Sequence, residues 1–202
     1  MNTELLRSIT SKEVDTYLRD GVLLLKNMFD NEWIELLNKG LDLNCKSPTE
    51  RSRIWDKDDE GHTMFYDTLA WREIEEYKKF IFDSPAAQVC GQLMKVKTVN
   101  YFFDAVFVRS PGTKFETPWH QDEPYWSIEG YDACTLWMPL VPVKKKNCLS
   151  FVPGSHRFKS VFNQKNFAEI TGNPKDQVDF SNVADQEFPD INANPKRFGV
   201  VS

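Results

Sequence analysis

The hydrophobic period of this chain changes at residue 97, and that change bounds the fold. Up to Met94 apolar residues recur at helical spacing, whereas after Lys97 they come in runs rich in β-branched and aromatic side chains. Residues 11–18 read as a helix, with Ser11 as N-cap, Glu13 and Asp15 in the first turn, and Asp20-Gly21 as its end. Residues 22–25, Val-Leu-Leu-Leu, predict a short buried strand. Asn31 then caps a second helix with Trp33, Leu36 and Leu37 on one face. Residues 46–60 are dense in charge and aperiodic, which predicts a mobile loop. Residues 71–82 and 84–94 predict two more helices around the Asp83-Ser84-Pro85 break. Strands are expected over 99–108, 134–143 and 148–152, with turns at Pro111-Gly112 and Pro153-Gly154. Residues 117–122 are expected to be extended, because Pro118 forces its predecessor out of helix. Helices first and strands afterwards is an α+β order whose β part is a sandwich or barrel. Residues 158–198 show little periodicity, and so long a stretch reads as a functional loop or as an element whose signal is masked. Residues 46–67 and 158–195 are expected to be mobile and to border a pocket as lids.

The 202 residues suit one domain with a real core. The net charge of −5 and the lack of a long basic run argue against nucleic acid as a partner. The four cysteines, Cys45, Cys90, Cys134 and Cys148, have no paired spacing, which argues against a zinc knuckle or a disulfide scaffold. Buried, reduced thiols in a cytoplasmic protein are the expectation. No apolar run approaches a membrane span, and the N-terminal residues lack the apolar stretch of a secretory signal.

One segment carries chemistry: "TPWHQDEPYW", residues 117–126. In a strand alternate side chains share a face, so His120 and Asp122 project together and Gln121 points away. Such a pair offers an imidazole nitrogen and a carboxylate oxygen to one metal ion. With a second histidine it forms the two-histidine, one-carboxylate facial set of non-haem Fe(II) oxygenases, which leaves coordination positions open. The spacing alone is equally that of an ordinary surface pair. The other two histidines read as a solvated loop residue, His62, and a turn residue bonded to local backbone, His156.

Three blocks in order resemble the phytanoyl-CoA dioxygenase family of Fe(II)- and 2-oxoglutarate-dependent oxygenases. They are "YLRDGVLLLKNMFDNEWIELL", "PGTKFETPWHQDEPYW" and "LWMPLVPVKKKNCLSFVPGSHR". The resemblance implies a double-stranded β-helix, a cupin-like jelly roll with helices packed on one sheet. It implies that His120 and Asp122 are iron ligands, that Trp137 lines the 2-oxoglutarate pocket, and that His156 belongs to a turn and is not a ligand. The activity it implies is hydroxylation of a small organic substrate by dioxygen, with 2-oxoglutarate decarboxylated to succinate.

The family's third ligand is a histidine near the C-terminal end, followed by an arginine that pairs with the 2-oxoglutarate carboxylate. No histidine follows His156 here, and Arg197 is the only arginine after Arg157. The expectation is therefore a single oxygenase domain over 1–202 that is C-terminally incomplete and lacks its last strands. Residues 1–202 alone are expected to be inactive, with an open sheet edge that invites a second copy to pair. The alternative is a degenerate, non-catalytic jelly-roll module that binds a ligand, for which Trp119, Tyr125 and Trp126 are a suitable platform.

Overall fold

The computed structural model describes residues 1–55, 59–113, 116–128, 130, 132–163 and 186–202. The first helix, α1 (Ser11–Asp20), starts one residue earlier than its sequence signal. Thr10 is the N-cap, and a reciprocal capping box joins it to Glu13. Arg7 clamps the same Glu13 carboxylate through bonds of 3.0 and 2.8 Å. At the other end Gly21 adopts φ 72°, and its N–H closes onto the Tyr17 carbonyl. Residues 22–25 join no sheet. Leu24 is 76% exposed, while Leu23 and Leu25 pack on a cluster of Met28, Val89 and Leu93. The strand expectation fails there because only side chains, and no backbone ladder, are engaged.

Helix α2 (Asn31–Lys46) is capped by Asp30, not by Asn31. Asn2 bonds Asp30 in both directions, and its carbonyl accepts from the Trp33 indole at 2.7 Å. The buried face is Trp33, Leu37, Gly40 and Asn44, a spacing that keeps one side of a helix turned inward. Gly40 lets α3 (Glu75–Asp83) approach, since a Cβ there would fall 2.9 Å from the Tyr77 ring. The helix expected over 71–82 is thus shorter, preceded by a 3-10 turn at Ala70–Arg72. Helix α4 (Ala86–Met94) follows Pro85 and packs against α1.

The charged segment after α2 is not simply a loop. It contains β1 (Arg53–Trp55), which pairs antiparallel with β2 (Met64–Thr68), and β2 pairs antiparallel with β3 (Ala105–Arg109). A lid over 46–67 is therefore ruled out as the whole account, because Met64 and Asp67 in it are core residues. Asp67 is fully buried, and four donors satisfy it: Asn44, the Thr49 hydroxyl and N–H, and the Thr68 N–H. The charge that masks the strand signal sits on neighbours such as Arg51, which reaches out to Glu73.

The strand expected over 99–108 is only β3, because Tyr101 and Asp104 turn inward first. Asp104 accepts from the Tyr101 hydroxyl and the Ala70 N–H. Residues 134–143 and 148–152 form no ladder beyond a single antiparallel bridge, Phe151 with Val201. Two-residue strands β4 (Phe162–Asn163) and β5 (Gln186–Glu187) pair in parallel. Most of the aperiodic stretch, 164–185, lies outside the described residues, so the lid expectation for 158–195 does too. The architecture is mixed helix and sheet with a small antiparallel sheet. One core cluster, Leu37, Ala70, Ile74 and Tyr77, packs Val106 of β3 and also Met138 and Leu140.

Candidate metal centre

The candidate site grows from the end of β3. The Pro111-Gly112 turn reverses the chain, and Gly112, at φ 94°, has the His62 ring against it. Arg109, the last residue of β3, donates to the Thr117 hydroxyl and anchors the start of the site segment. Residues 116–121 belong to no helix or strand, and Pro118 keeps Thr117 out of helical backbone. Trp119 and Gln121 face one way. The Trp119 indole donates to the Asn192 amide oxygen at 2.7 Å. Gln121 brackets a backbone, donating to the Ser160 carbonyl at 3.0 Å and accepting from the Phe162 N–H at 2.9 Å. Sequence reasoning missed these two tethers. The available signal was the period of two, which puts 119 and 121 opposite 120.

His120 and Asp122 meet on the other side. His120 Nε2 lies 3.3 Å from Asp122 Oδ1, with the two side chains 28% and 51% exposed. The route to this convergence differs from the expected one. Asp122 is not in a strand; at φ −76° and ψ −38° it opens the 3-10 turn Glu123–Tyr125. The helical backbone at Asp122 goes with the approach of its carboxylate to the imidazole. The second ring nitrogen, Nδ1, lies 2.8 Å from the Pro118 carbonyl. A carbonyl only accepts, so Nδ1 is the donor in that contact, and Nε2 is the nitrogen that faces the Asp122 carboxylate. Burial pulls the imidazole pKa down, but hydrogen bonds to Asp122 and the Pro118 carbonyl prevail and hold it above its ordinary value.

The donor set suits a divalent cation, which would displace the Nε2 proton: one imidazole nitrogen and one carboxylate oxygen, close enough for adjacent positions of one coordination shell. Among the described residues no group of three or more His, Cys, Asp or Glu side chains is arranged to hold a metal. His156 is engaged elsewhere. Its Nε2 meets the Leu18 carbonyl at 3.3 Å, and its ring covers Gly21. The neighbouring Gly154 N–H donates to the Asp20 carbonyl at 2.7 Å. The Pro-Gly-Ser-His turn thus docks on the C-terminal end of α1, so His156 bonds to distant backbone rather than to its own turn. Trp137 is 46% exposed, in the segment that forms no ladder.

Behind Gln121 lies a cavity of about 540 Å³ whose walls include Phe158, Lys159, Phe162, Arg197 and Phe198. His120 and Asp122 are not among its lining residues. Ring contacts of Phe162 with Phe158 and Phe188 build its apolar side.

Searches of curated proteins and of solved structures find no match. The sequence pattern of the phytanoyl-CoA dioxygenase (PhyH) family, in contrast, matches residues 17–186, from the middle of α1 to the start of β5 and through the whole His120–Asp122 segment. With a match over most of its length, the chain belongs to the phytanoyl-CoA dioxygenase family.

Proposed function

We propose that the full-length protein is an Fe(II)- and 2-oxoglutarate-dependent dioxygenase that hydroxylates a small organic substrate, with His120 and Asp122 as two of the iron ligands, and that residues 1–202 alone are inactive. The observation that carries the reading is the 3.3 Å approach of Nε2 to Oδ1 in a chain of this family. When bound, such an iron supplies the activation of dioxygen, coupled to decarboxylation of 2-oxoglutarate to succinate. The chain's own residues orient and restrain. The Pro118 carbonyl fixes the tautomer of His120, and Arg109 holds the start of the segment. Trp119 and Gln121 hold the opposite face, which limits how far the ligand pair can move. Trp137 offers a flat, half-exposed ring as a wall for the co-substrate. In this reading the small antiparallel sheet is part of a jelly roll, and the protein works in the cytoplasm.

A second reading is a jelly-roll module that binds a ligand without catalysis. Trp126, in edge contact with the exposed rings of Phe102 and Phe103, would belong to its binding platform. Anaerobic Fe(II) titration followed by succinate measurement with 2-oxoglutarate separates the two. Stoichiometric iron and succinate production support the dioxygenase; neither, with retained ligand binding, supports the module.

A further inference from the structure

We propose that the cavity behind Gln121 binds a small aromatic monocarboxylate, at a site separate from the His120–Asp122 pair. Its volume, about 540 Å³, is that of a small-molecule pocket. The apolar wall is aromatic. Phe162 meets Phe158 and Phe188 edge to face, with ring centroids 6.1 and 5.5 Å apart. Phe158 is 43% exposed although it lines the cavity, so ring surface is left for a further arene in the same geometry. Two cations share the walls, Lys159 and Arg197, and the Arg197 guanidinium lies 5.7 Å from the centre of the Phe198 ring. Among the described residues neither cation has a carboxylate partner. The two wall carboxylates are committed elsewhere. Asp190 Oδ1 accepts from the Ala193 N–H at 2.9 Å, and Glu187 has an interaction of its own.

Arene surface beside unpaired cations selects a flat apolar body with one anionic end. A carboxylate suits the guanidinium, which can give it two parallel N–H bonds. Two cations against two acidic groups leave the walls close to neutral, which disfavours a dianion such as a phosphate monoester or 2-oxoglutarate. The walls are set without a ligand. Gln121 brackets the backbone at Ser160 and Phe162, and Gln186 donates to the Ser160 hydroxyl at 2.7 Å. The Arg197 N–H donates to the Asn194 carbonyl at 3.0 Å, which fixes that cation's backbone. Preformed walls lower the ordering cost of binding. The site needs neither iron nor 2-oxoglutarate, so it stands apart from the dioxygenase reading.

The test is calorimetric titration of the metal-free protein with naphthylacetate and with naphthylethanol, its uncharged counterpart. The acid should bind saturably, one per chain, and about 10-fold more tightly than the alcohol, the size of a single charge-assisted contact. Amide resonances of Ser160, Phe162 and Phe198 should shift on titration, and those of the α4 helix should not. A variant carrying Lys159→Gln and Arg197→Gln should lose the preference for the acid while still binding the alcohol. Both side chains are exposed, so the thermal melt should be unchanged. An acid and an alcohol that bind equally well overturn the proposal, as does an acid preference that survives in the double variant. Displacement of naphthylacetate by 2-oxoglutarate at equal concentration also overturns it, because the cavity would then be a general anion site.

Discussion

At the scale of single residues, the ligand pair, the buried Asp67 and the half-buried Asp104 make separable claims. His120→Ala and Asp122→Ala should each weaken Fe(II) binding by more than about 100-fold, since even groups that only orient ligands cost about 10–100-fold when removed. Calorimetric iron titration checks this, and Trp119→Phe should move it far less. Asp67 is a structural group. Burial pushes its carboxyl up, but Thr49, Asn44 and the Thr68 N–H outweigh that and hold it below the usual value. Its stabilisation is therefore present above the unfolded value, about 3.9, and is lost as pH falls through the lower folded value. Asp104 runs in the opposite sense. Burial raises it, and the bonds from Tyr101, Trp71 and Ala70 only partly compensate. Its favourable contribution is complete below about pH 3.9 and fades as pH rises through the raised folded value. Urea unfolding at a series of pH values should show Asp67→Asn losing acid sensitivity. Asp104→Asn should instead compare more favourably with wild type as pH rises. Asp67→Ala should cost about 3 kcal/mol, because it strands buried donors that met a charge.

At the scale of elements, the joint between α1 and the turn at Ser155–Arg157 is the most exposed to test. Gly21 combines a left-handed backbone with a histidine ring where a Cβ would go. Gly21→Ala should cost about 1–2 kcal/mol for the backbone alone, with a further loss from the collision with His156. Adding His156→Ala should recover the collision part and leave the backbone part, so a double-mutant cycle in thermal melts should show coupling. The same joint shows what sequence reading reaches. The Asp-Gly helix stop was legible because a left-handed C-cap selects glycine, and all four α-helices were legible through their period. The N-caps shifted by one residue because Ser11 and Asn31 each follow another good cap, Thr10 and Asp30. Strands β1 and β2 were hidden because charged residues surround them, and the hydrogen-bond donors that satisfy Asp67 are distant in sequence. Residues 22–25 misled because an apolar run signals burial, not backbone pairing.

At the scale of the whole molecule, the helical layer and the small sheet hold up a single segment, residues 117–126, and the account rests on what that segment binds. The donor types at 120 and 122 were legible, but their meeting through a turn was not, since a period-of-two argument assumes a strand through Asp122. The link from the ligand segment to Ser160, Phe162 and Asn192 was equally hidden, because side-chain amides bonding distant backbone leave no pattern. The direct measurement is Fe(II)-dependent succinate formation from 2-oxoglutarate by the protein, run beside Asp122→Ala with iron content recorded for both. For a form of the protein that also supplies a third histidine ligand and the arginine for 2-oxoglutarate, the account expects iron and succinate, with loss of both in the variant, whereas residues 1–202 alone are expected to hold iron weakly and give no succinate. Iron and turnover that persist unchanged in Asp122→Ala would contradict it, because the carboxylate facing His120 would then not be a ligand.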